Sequence, residues 1–222
     1  MLMRSGDRFP GAGQFLPAHK TIPTLKTAAS VCRGCDLWQR ATQTVFGEGA
    51  VSARIMLIGE QPGDKEDLAG HPFVGPAGRI LNEALIAAGI AKTDAYITNA
   101  VKHFGWIPAE QGNRRINKKP LSSEVKACRP WLEAEIQVVH PQIIVCLGAT
   151  AAQALLGPDF SVLRRRGQFI PSSLAERVMA TVHPSSILRA RDDKSRREQM
   201  DAFIHDLKIA ARELRSHRRA AA

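Results

Sequence analysis

The chain has 222 residues, of which 44% are hydrophobic and 23% charged, and its 31 Lys and Arg against 21 Asp and Glu give a formal net charge of +10. This length suits one α/β domain with a sizeable core and is short for two, and no apolar run approaches the ~20 residues that span a bilayer. The basic excess favours a nucleic acid over an acidic membrane surface as partner, with a charge that only aids solubility as the alternative.

Both ends of the chain are predicted to lie outside the folded domain. Residues 1–24 are rich in Gly, Pro and polar side chains, which predicts a flexible arm and not a secretory signal. Residues 25–216 are expected to form a single domain, and residues 217–222 a tail. We expect a cytoplasmic protein of a bacterium, whose thiols stay reduced, so the four cysteines indicate metal or cluster ligands and not disulfides.

Apolar runs and helical periods alternate along the chain, as they do in a parallel sheet flanked by helices. Strands are predicted at 54–59, 95–101, 142–148 and 178–182, and helices at 77–88, 122–139, 149–156 and 195–216. The fold class is therefore α/β, a three-layer αβα sandwich around a central, mainly parallel four-stranded sheet. Ligands bind outside the carboxyl ends of the strands in such sheets. The residues at these ends are Glu60, Gln61, Asn99, Gly148 and His183.

The cysteines of the N-terminal third predict a metal centre. Cys32 and Cys35 have the C-x-x-C spacing of metal ligands, and Cys128 and His103 are the natural residues to complete the set. The spacing alone fits a zinc site with three Cys and one His as well as an iron–sulfur cluster, and unliganded thiols are a third alternative. Cys146, inside a predicted strand, is expected to be a small buried hydrophobic residue.

The turn after the first predicted strand, from Gly59 to Asp64 and on to Asp67, is dense in carboxylates. Its two glycines permit close approach of a ligand to the backbone. A carboxylate held in such a turn can orient water or stabilise a cation, and cleavage of a glycosidic bond needs both because the sugar develops oxocarbenium character. One of these acids is also expected to cap the helix after Pro76.

Three further side chains are candidates for binding a base. Phe73 could stack on a flipped base, and Asn99 has the donor and acceptor that the edge of uracil requires. His183 could donate a hydrogen bond to a departing base oxygen. A core phenylalanine and a simple turn asparagine are the structural alternatives for the first two.

Two segments are candidates for contact with DNA. Ile187 and Leu188 place apolar bulk beside Arg189, as in proteins that open a base stack while holding phosphates, and a helix start with two core residues is an equal alternative. The cationic segment 112–120 suits phosphate contact, or is a solvated loop without a function.

Four motifs together resemble the uracil-DNA glycosylase superfamily, namely residues 59–64, 71–78, 98–103 and 183–186. Cys32-x-x-Cys35 and the segment 128–132 are similar to its iron–sulfur branch, and the resemblance runs from about residue 28 to 212. It is closest to the X-type group (UdgX), which is marked by Gln61, by His103 in place of a cluster Cys, and by the inserted segment Arg114-Arg115-Ile116.

The resemblance implies the uracil-DNA glycosylase fold and a monomer that acts on uracil-containing DNA, single- or double-stranded, to leave an abasic site. It implies a 4Fe–4S cluster held by Cys32, Cys35, His103 and Cys128. The catalytic residues are expected to be Glu60, Asp64, Asn117 and His183, and the implied uracil-binding residues are Gln61, Asp67, Phe73 and Asn99. The implied DNA contacts are Arg114, Arg115, Lys118, Ser185, Ile187, Leu188 and Arg189.

One position departs from the X-type pattern. Those relatives end the inserted loop in a His that attacks the sugar and leaves the protein joined to DNA, whereas this chain has Asn117. An amide nitrogen is a poor nucleophile because its lone pair is delocalised into the carbonyl, so the covalent trapping step is expected to be absent.

Three hypotheses about the outcome remain. The first is a turning-over glycosylase in which Glu60 or Asp64 orients water. The second is a uracil-DNA binder with little turnover, or with crosslinking if another residue replaces the His. The third is a structural or regulatory nucleic-acid module. The retained site residues Glu60, Phe73, Asn99 and His183 favour the first.

Overall fold

A computed structural model describes residues 8–220, with side chains to residue 216. The strands in this range are β1 Glu48–Gly49, β2 Ile55–Gly59, β3 Ala95–Asn99, β4 Trp106–Pro108, β5 Arg115–Asn117, β6 Ile143–Leu147, β7 Phe169–Ile170 and β8 Arg177–Thr181. The α-helices are α1 Ile22–Ala29, α2 Asp64–Ala69, α3 Pro76–Ala88, α4 Ser122–Val139, α5 Ala149–Leu156, α6 Val162–Arg165, α7 Pro184–Leu188 and α8 Asp193–Ala220.

The main sheet has six strands in the order β1-β3-β2-β6-β8-β7. Its centre is the parallel set β3, β2, β6 and β8, which are the four strands that the apolar runs predict. The edge strands β1 and β7 pair antiparallel with β3 and β8. The prediction of four strands is therefore wrong in number, because two-residue edge strands are too short to show the alternation of a half-buried strand.

Helices cover both faces of this sheet, which confirms the three-layer αβα architecture. Alternate residues along a strand point to opposite faces, and in β2 Ile55 and Leu57 pack with α3, α7 and α8, while Met56 and Ile58 pack with α4 and α5. All five residues of β2 and of β6 are buried. Cys146 in β6 is 0% exposed within the second of these cores, as expected for a small hydrophobic residue.

The segment predicted to be a flexible arm is folded wherever the structure describes it. Residues 1–7 lie outside the described range, but a 3-10 helix spans Ala12–Phe15 and α1 begins at Ile22. Ala12 is 1% exposed and packs in a third core with Leu25, Cys32 and Trp131. The expectation of a loose arm is therefore wrong for residues 8–24, because apolar side chains among the Gly and Pro residues are buried against α4.

The C-terminal helix is longer than predicted. It runs to Ala220, so residues 217–220 of the predicted tail continue α8, and residues 221–222 lie outside the described range. None of the helices in the described part of the chain combines the length and apolar character that crossing a membrane requires.

Candidate active site at the carboxyl edge of the sheet

The carboxyl ends of the central strands meet at one edge, where the sequence places the site. Gly59 at the end of β2 is paired with Asn99 at the end of β3. Gly148, directly after β6, donates its N–H to the carbonyl of Thr181 at the end of β8, with an N···O distance of 2.9 Å. His183 is two residues further along the chain. The polar residues at the ends of four different strands are thus brought to one place.

A slot between Gly59, Phe73 and Asn99 is shaped by the lack of a side chain at Gly59. A Cβ at this position would lie 2.3 Å from Asn99 Oδ1 and 2.6 Å from Phe73 Cζ. The Phe73 ring is half-buried, and its centroid is 6.1 Å from that of the His183 ring. Phe73 has a φ of 54°, and a Cβ at Gly78 would lie 1.6 Å from its carbonyl oxygen. Such left-handed backbone in a bulky residue is a strained feature typical of functional sites.

Asn99 carries a buried acceptor that nothing in the described chain satisfies. The residue is 2% exposed, and its Oδ1 has no hydrogen-bond partner there. Leaving such a group unpaired costs about 1–3 kcal/mol, so it calls for an explanation. An unpaired acceptor beside an aromatic ring suits a flat ligand that offers an N–H, such as the edge of a nucleobase.

His183 is held in one tautomer by its neighbours. Its Nδ1 accepts a hydrogen bond from the Ser185 N–H at 3.2 Å and lies 2.8 Å from Ser185 Oγ, which in turn accepts from Arg189 Nη1 at 3.2 Å. Burial, with a smaller contribution from Arg189, lowers the pKa of His183 from 6.5 to about 4. The ring is therefore neutral near pH 7, and its proton resides on Nε2, which is left as a donor.

Glu60 is oriented by a residue that the sequence motifs did not single out. Thr150, the second residue of α5, is 7% exposed and donates its hydroxyl to Glu60 Oε2 in a short hydrogen bond. Thr150 comes two residues after the strand-end residue Gly148, so its position close to a strand end was the signal that could have found it. The hydrogen bond fixes one carboxylate oxygen of Glu60 and leaves the other for chemistry.

Gln61 lies against the β4–β5 hairpin. The cationic segment 112–120 is not a free loop, because its residues 115–117 form β5, which pairs with β4. Gln61 Nε2 donates to Asn117 Oδ1 at 2.9 Å and to the Lys118 carbonyl at 2.9 Å, while Gln61 Oε1 accepts from the Gly105 N–H at 3.2 Å. The structure thus uses the Gln61 amide to hold the hairpin, and it brings Asn117 next to the carboxylate-rich turn.

Arg115 is fixed inside this hairpin attachment and is not a free phosphate ligand. Its side chain is 16% exposed, its Nε lies 2.6 Å from Asp64 Oδ1, and its Nη1 lies 2.6 Å from Asp67 Oδ2. The guanidinium also lies 5.3 Å from the ring centroid of Phe104. Asp67, at 0% exposure, accepts in addition from the Thr42 N–H. The expectation that Asp67 contacts uracil is therefore wrong, because its carboxylate is buried against Arg115. The expected contact of Arg115 with DNA stays a prediction, although its guanidinium is already paired with two carboxylates.

Glu66 is the carboxylate of the turn that accepts a hydrogen bond at the start of α3, the helix that begins at Pro76. Its Oε1 accepts from the Gly75 N–H at 2.8 Å, at the start of α3. This contact confirms the expectation that one carboxylate of the turn has a capping role.

The segment after His183 is divided between core and surface. Ile187 is 0% exposed and packs in the core between the sheet and helices α3 and α8, so its predicted role as a wedge in DNA is wrong. Leu188 is partly exposed and Arg189 is exposed, as are Arg114 and Lys118 on the hairpin. Of the predicted DNA contacts, these four residues and the half-buried Ser185 remain accessible.

The three cysteines predicted as ligands are buried, Cys32 and Cys128 within the third core and Cys35 in a small apolar cluster with Phe9 and Ala127. Cys32, Cys35 and Cys128 are 7%, 7% and 4% exposed. N–H groups of Gly34 and Trp131 donate to Cys32 Sγ at 3.4 and 3.3 Å, and the Lys102 N–H donates to Cys128 Sγ at 3.3 Å. Within the described residues, three or more Cys, His, Asp or Glu side chains are not gathered tightly enough to hold a single metal ion.

Burial controls the ionisation of these groups. It raises the pKa of Cys35 to about 11, where the charge of Cys32 adds to the effect, and that of Cys128 to about 12. It lowers the pKa of His103, which is 6% exposed, to about 4 against a smaller opposing effect of Asp67. The thiols of Cys35 and Cys128 are therefore neutral near pH 7 without a metal, and the imidazole of His103 is neutral and able to act as a ligand.

A buried ion pair lies under the strand end that carries Asn99. Lys102 is 0% exposed and pairs with Glu135 of α4, and its Nζ also donates to the Asn99 carbonyl at 2.7 Å. Glu135 Oε1 accepts from the Gly47 N–H and from the Tyr96 hydroxyl, both at 3.0 Å. No sequence pattern indicated this network, because a lysine is rarely buried and is expected at the surface.

Known proteins of one superfamily are similar to this chain over most of its length. The model described as the uracil DNA glycosylase superfamily matches residues 46–208. A protein of Thermotoga maritima named Type-4 uracil-DNA glycosylase is 40% identical over 167 residues, which cover 75% of this chain and 82% of the relative. Its namesake in Archaeoglobus fulgidus is 37% identical over 71% of this chain and 78% of the relative. A Type-5 uracil-DNA glycosylase of Thermus thermophilus is 30% identical over 69% and 73%.

Proposed function

Because the chain belongs to the uracil DNA glycosylase superfamily, we propose that it flips uracil out of DNA and hydrolyses the bond between base and sugar. The observation that carries this proposal is the buried, unpaired Oδ1 of Asn99 beside the half-buried Phe73 ring. The N3–H of uracil supplies the donor that this oxygen lacks. Thymine carries the same N3–H, so its exclusion depends on the close walls of the slot around its additional methyl group.

Each described residue of the slot then has a part in the reaction. Phe73 stacks on the flipped base, and Asn99 accepts from its N3–H. His183 is neutral and donates its Nε2 proton as a hydrogen bond to the uracil oxygen that gains charge as the bond breaks. Glu60, fixed through Thr150, stabilises the cationic sugar and orients water for attack. Asp64 is assigned to the Arg115 contact, which leaves Glu60 as the reacting carboxylate.

We propose that Cys32, Cys35 and Cys128 hold a 4Fe–4S cluster with His103 as the fourth ligand. Buried sulfurs that receive N–H hydrogen bonds fit such a cluster, since these bonds stabilise thiolate charge. When bound, the cluster would link the segment before β1, the segment after β3 and α4 through these four residues.

Within the superfamily we propose a place closest to the X-type group, on the strength of Gln61, His103 and the inserted Arg114-Arg115-Ile116. Asn117 then decides how the reaction ends. Its Oδ1 already accepts from Gln61, and its amide nitrogen has no lone pair to offer the sugar. Water completes the reaction and the enzyme turns over. The competing hypothesis, a uracil-DNA binder with little turnover, keeps the same recognition residues and lacks only the hydrolysis.

One oligonucleotide experiment distinguishes these outcomes. Protein is incubated with labelled DNA containing one uracil, and half of each sample is treated with alkali before separation on a denaturing gel. Strand breaks that appear only after alkali, without a slower protein–DNA band, are the expected result. Asn99→Ala should abolish the breaks, and a thymine oligonucleotide is the substrate control. Intact strands after prolonged incubation contradict hydrolysis, and a slow band with the unmodified chain contradicts the role of Asn117.

Two further measurements test the finer assignments. Asn117→His should produce the slow band, because the neighbouring Lys118 carbonyl accepts from Gln61 and holds this part of the hairpin next to the carboxylate-rich turn. The absence of a band would show that residue 117 does not reach the sugar. The protein as isolated should be brown and contain iron and sulfide, and Cys128→Ala should lose them while the matched core variant Cys146→Ala retains them. A colourless protein with zinc would contradict the cluster.

A further inference from the structure

Three consecutive arginines come after an exposed leucine at positions 163–166, and the proposed site uses none of these residues. Leu163 is 87% exposed, and Arg164 and Arg165 are also exposed. They form most of α6, a single helical turn between α5 and β7. We call Leu163, Arg164 and Arg165 the α6 corner, and the exposure of its leucine shows that it projects from the surface.

The α6 corner lies at the same edge of the sheet as the active site. Gly167, two residues after the corner, donates its N–H to the Ala180 carbonyl at 3.0 Å, near the carboxyl end of β8. Arg166 Nε lies 2.8 Å from Asp206 Oδ2, and the same oxygen accepts from Thr181 Oγ1 at 2.5 Å. Thr181 precedes His183 by two residues. The α6 corner is therefore attached to β8, the strand that ends two residues before His183.

This attachment makes the corner a fixed feature of the surface. Asp206, which pairs with Arg166, is 5% exposed, and it also accepts from Thr181, which is 0% exposed, so the attachment is made to a buried carboxylate. Hydrogen bonds in which a partner is ionised are about twice as strong as neutral ones. Arg166 is thereby engaged in the fold, whereas Arg164 and Arg165 are exposed and have no acidic partner within 4 Å among the described side chains. The Arg165 guanidinium lies 5.7 Å from the ring centroid of Phe160.

We propose that the α6 corner is a second DNA contact, in which Arg164 and Arg165 bind backbone phosphates on one side of the flipped uracil. The proposal rests on the proposed function for its partner. Charge complementarity selects the DNA backbone, since two neighbouring exposed guanidinium groups suit the phosphates of that backbone. The corner adds affinity and register without reading sequence, because phosphate contacts carry no sequence information directly.

The geometry sets how far from the uracil this contact falls. Two residues of chain from Thr181 to His183 span at most about 7 Å, and one helical turn adds about 5 Å. With the Arg166–Asp206–Thr181 link and the arginine side chains, the corner lies within roughly 20 Å of the base-binding slot. One strand of duplex DNA advances about 3.4 Å per nucleotide, so the contact falls within about six nucleotides of the uracil and, because the corner is a single patch, on one side of it.

The test uses the charge-removing double variant Arg164→Gln/Arg165→Gln in the intact protein. Its control is Arg212→Gln/Arg215→Gln, which removes the same charge from exposed positions of α8. Those positions flank Leu214, whose carbonyl accepts from Arg54 Nη2 at 2.6 Å, just before β2 begins, and so lie at the opposite edge of the sheet. The substrates are a duplex with a central uracil and two duplexes with the uracil two base pairs from the 5′ or the 3′ end.

Excision is measured as kcat and kcat/KM across a range of salt concentrations. For the central uracil, the α6 variant should keep kcat, lose about tenfold or more in kcat/KM at low salt, and show a salt slope smaller by about 1.8, at about 0.9 per phosphate contact. The loss should persist for one end-placed uracil and vanish for the other. The control variant should leave the slope within experimental error.

Equal effects of the two double variants, or equal losses on both end-placed substrates, would overturn the proposal, since either shows only general attraction to charge. If the unmodified protein excises no uracil, the proposed function fails by itself. Fluorescence anisotropy then measures binding to the same three duplexes and tests the α6 corner separately. The same change in salt slope, and a loss for only one of the two end-placed uracils, is expected for the binding constant.

Discussion

Gly59→Ala tests the recognition slot by adding a single methyl group to its wall. The new Cβ would lie 2.3 Å from Asn99 Oδ1 and 2.6 Å from Phe73 Cζ, so each neighbour must retreat by about 1 Å to reach ordinary contact distance. The backbone cannot yield instead, because Gly59 is paired with Asn99 and its carbonyl accepts from the Ala100 N–H at 2.9 Å. The methyl group therefore displaces the two side chains that we assign to the base.

The expected losses are a consequence of these displacements. Overpacking should lower the free energy of unfolding by about 1–3 kcal/mol. Misplacing a stacking ring and a buried hydrogen-bond acceptor should cost about 3–4 kcal/mol of transition-state stabilisation, which is about 10²- to 10³-fold in the rate of excision. Single-turnover excision and thermal unfolding report the two effects separately. Gly13→Ala is the matched control, because nothing lies within 4 Å of a Cβ at Gly13.

A second measurement guards against a general loss of structure. If Gly59→Ala acts by displacing Asn99 and Phe73, it should cost much less in a background where both are already Ala, because effects on shared partners are not additive. An excision rate for Gly59→Ala within threefold of the unmodified protein would refute the slot. A loss of the same size in the double-Ala background would show that the methyl group acts elsewhere.

Thr150→Val should slow excision about tenfold, since it removes the hydroxyl that holds Glu60, and Thr150→Ser should restore most of the rate; equal rates for Val and Ser would contradict the positioning role. Burial holds the pKa of His183 at about 4 rather than 6.5, so the unfolded chain takes up a proton at this residue before the folded protein does as the pH falls. The contribution of His183 to the free energy of unfolding is therefore complete above pH 6.5 and falls by about 2–3 kcal/mol toward pH 4. Unfolding at several pH values should show this loss and His183→Gln should remove it; an NMR titration of the ring near pH 6.5 would contradict it. Arg115→Ala should lower the free energy of unfolding by about 2–4 kcal/mol, because it leaves the buried Asp67 carboxylate without its cationic partner. Arg114→Ala on the exposed face should change the free energy of unfolding by less than about 0.5 kcal/mol, and similar values for the two variants would contradict the buried attachment.

The framework of the fold could be predicted because its signal is local. The four central strands are buried on both faces, so each appears as a continuous apolar run, and helices α4 and α5 have the predicted bounds. The edge strands β1 and β7 have two residues each, and the β4–β5 hairpin carries charges, so neither gives a periodic signal. The short strands could not be predicted, because each of them is defined by its pairing partner and not by its own residues.

The site was predictable to the extent that strand ends determine position. Gly59, Asn99 and His183 are placed by the rule that parallel strands deliver their carboxyl ends to one edge. That rule does not determine the direction of each side chain. Ile187 turns into the core and Asp67 turns toward Arg115, and both choices depend on packing between segments that are distant in the chain. Thr150 follows the strand-end residue Gly148 by two positions, so the same rule places it near this edge, but only the folded structure shows that its hydroxyl contacts Glu60.

The attachment of the hairpin changes what the substitution at residue 117 means. Arg115 is fixed by Asp64 and Asp67, and Asn117, two residues on in the same strand, is fixed by Gln61. Gln61 Nε2 also donates to the Lys118 carbonyl at 2.9 Å, a hydrogen bond that does not depend on the side chain at 117. This bond and the contacts of Arg115 hold β5 beside the turn that carries Glu60, so a His at 117 would be placed by the same backbone. Covalent trapping therefore depends on the side chain at residue 117 for its chemistry and on the hairpin for the position of that side chain. The variant Asn117→His should gain crosslinking only while Arg115 is intact. A crosslink of equal yield in Arg115→Ala/Asn117→His would show that the hairpin does not place the nucleophile.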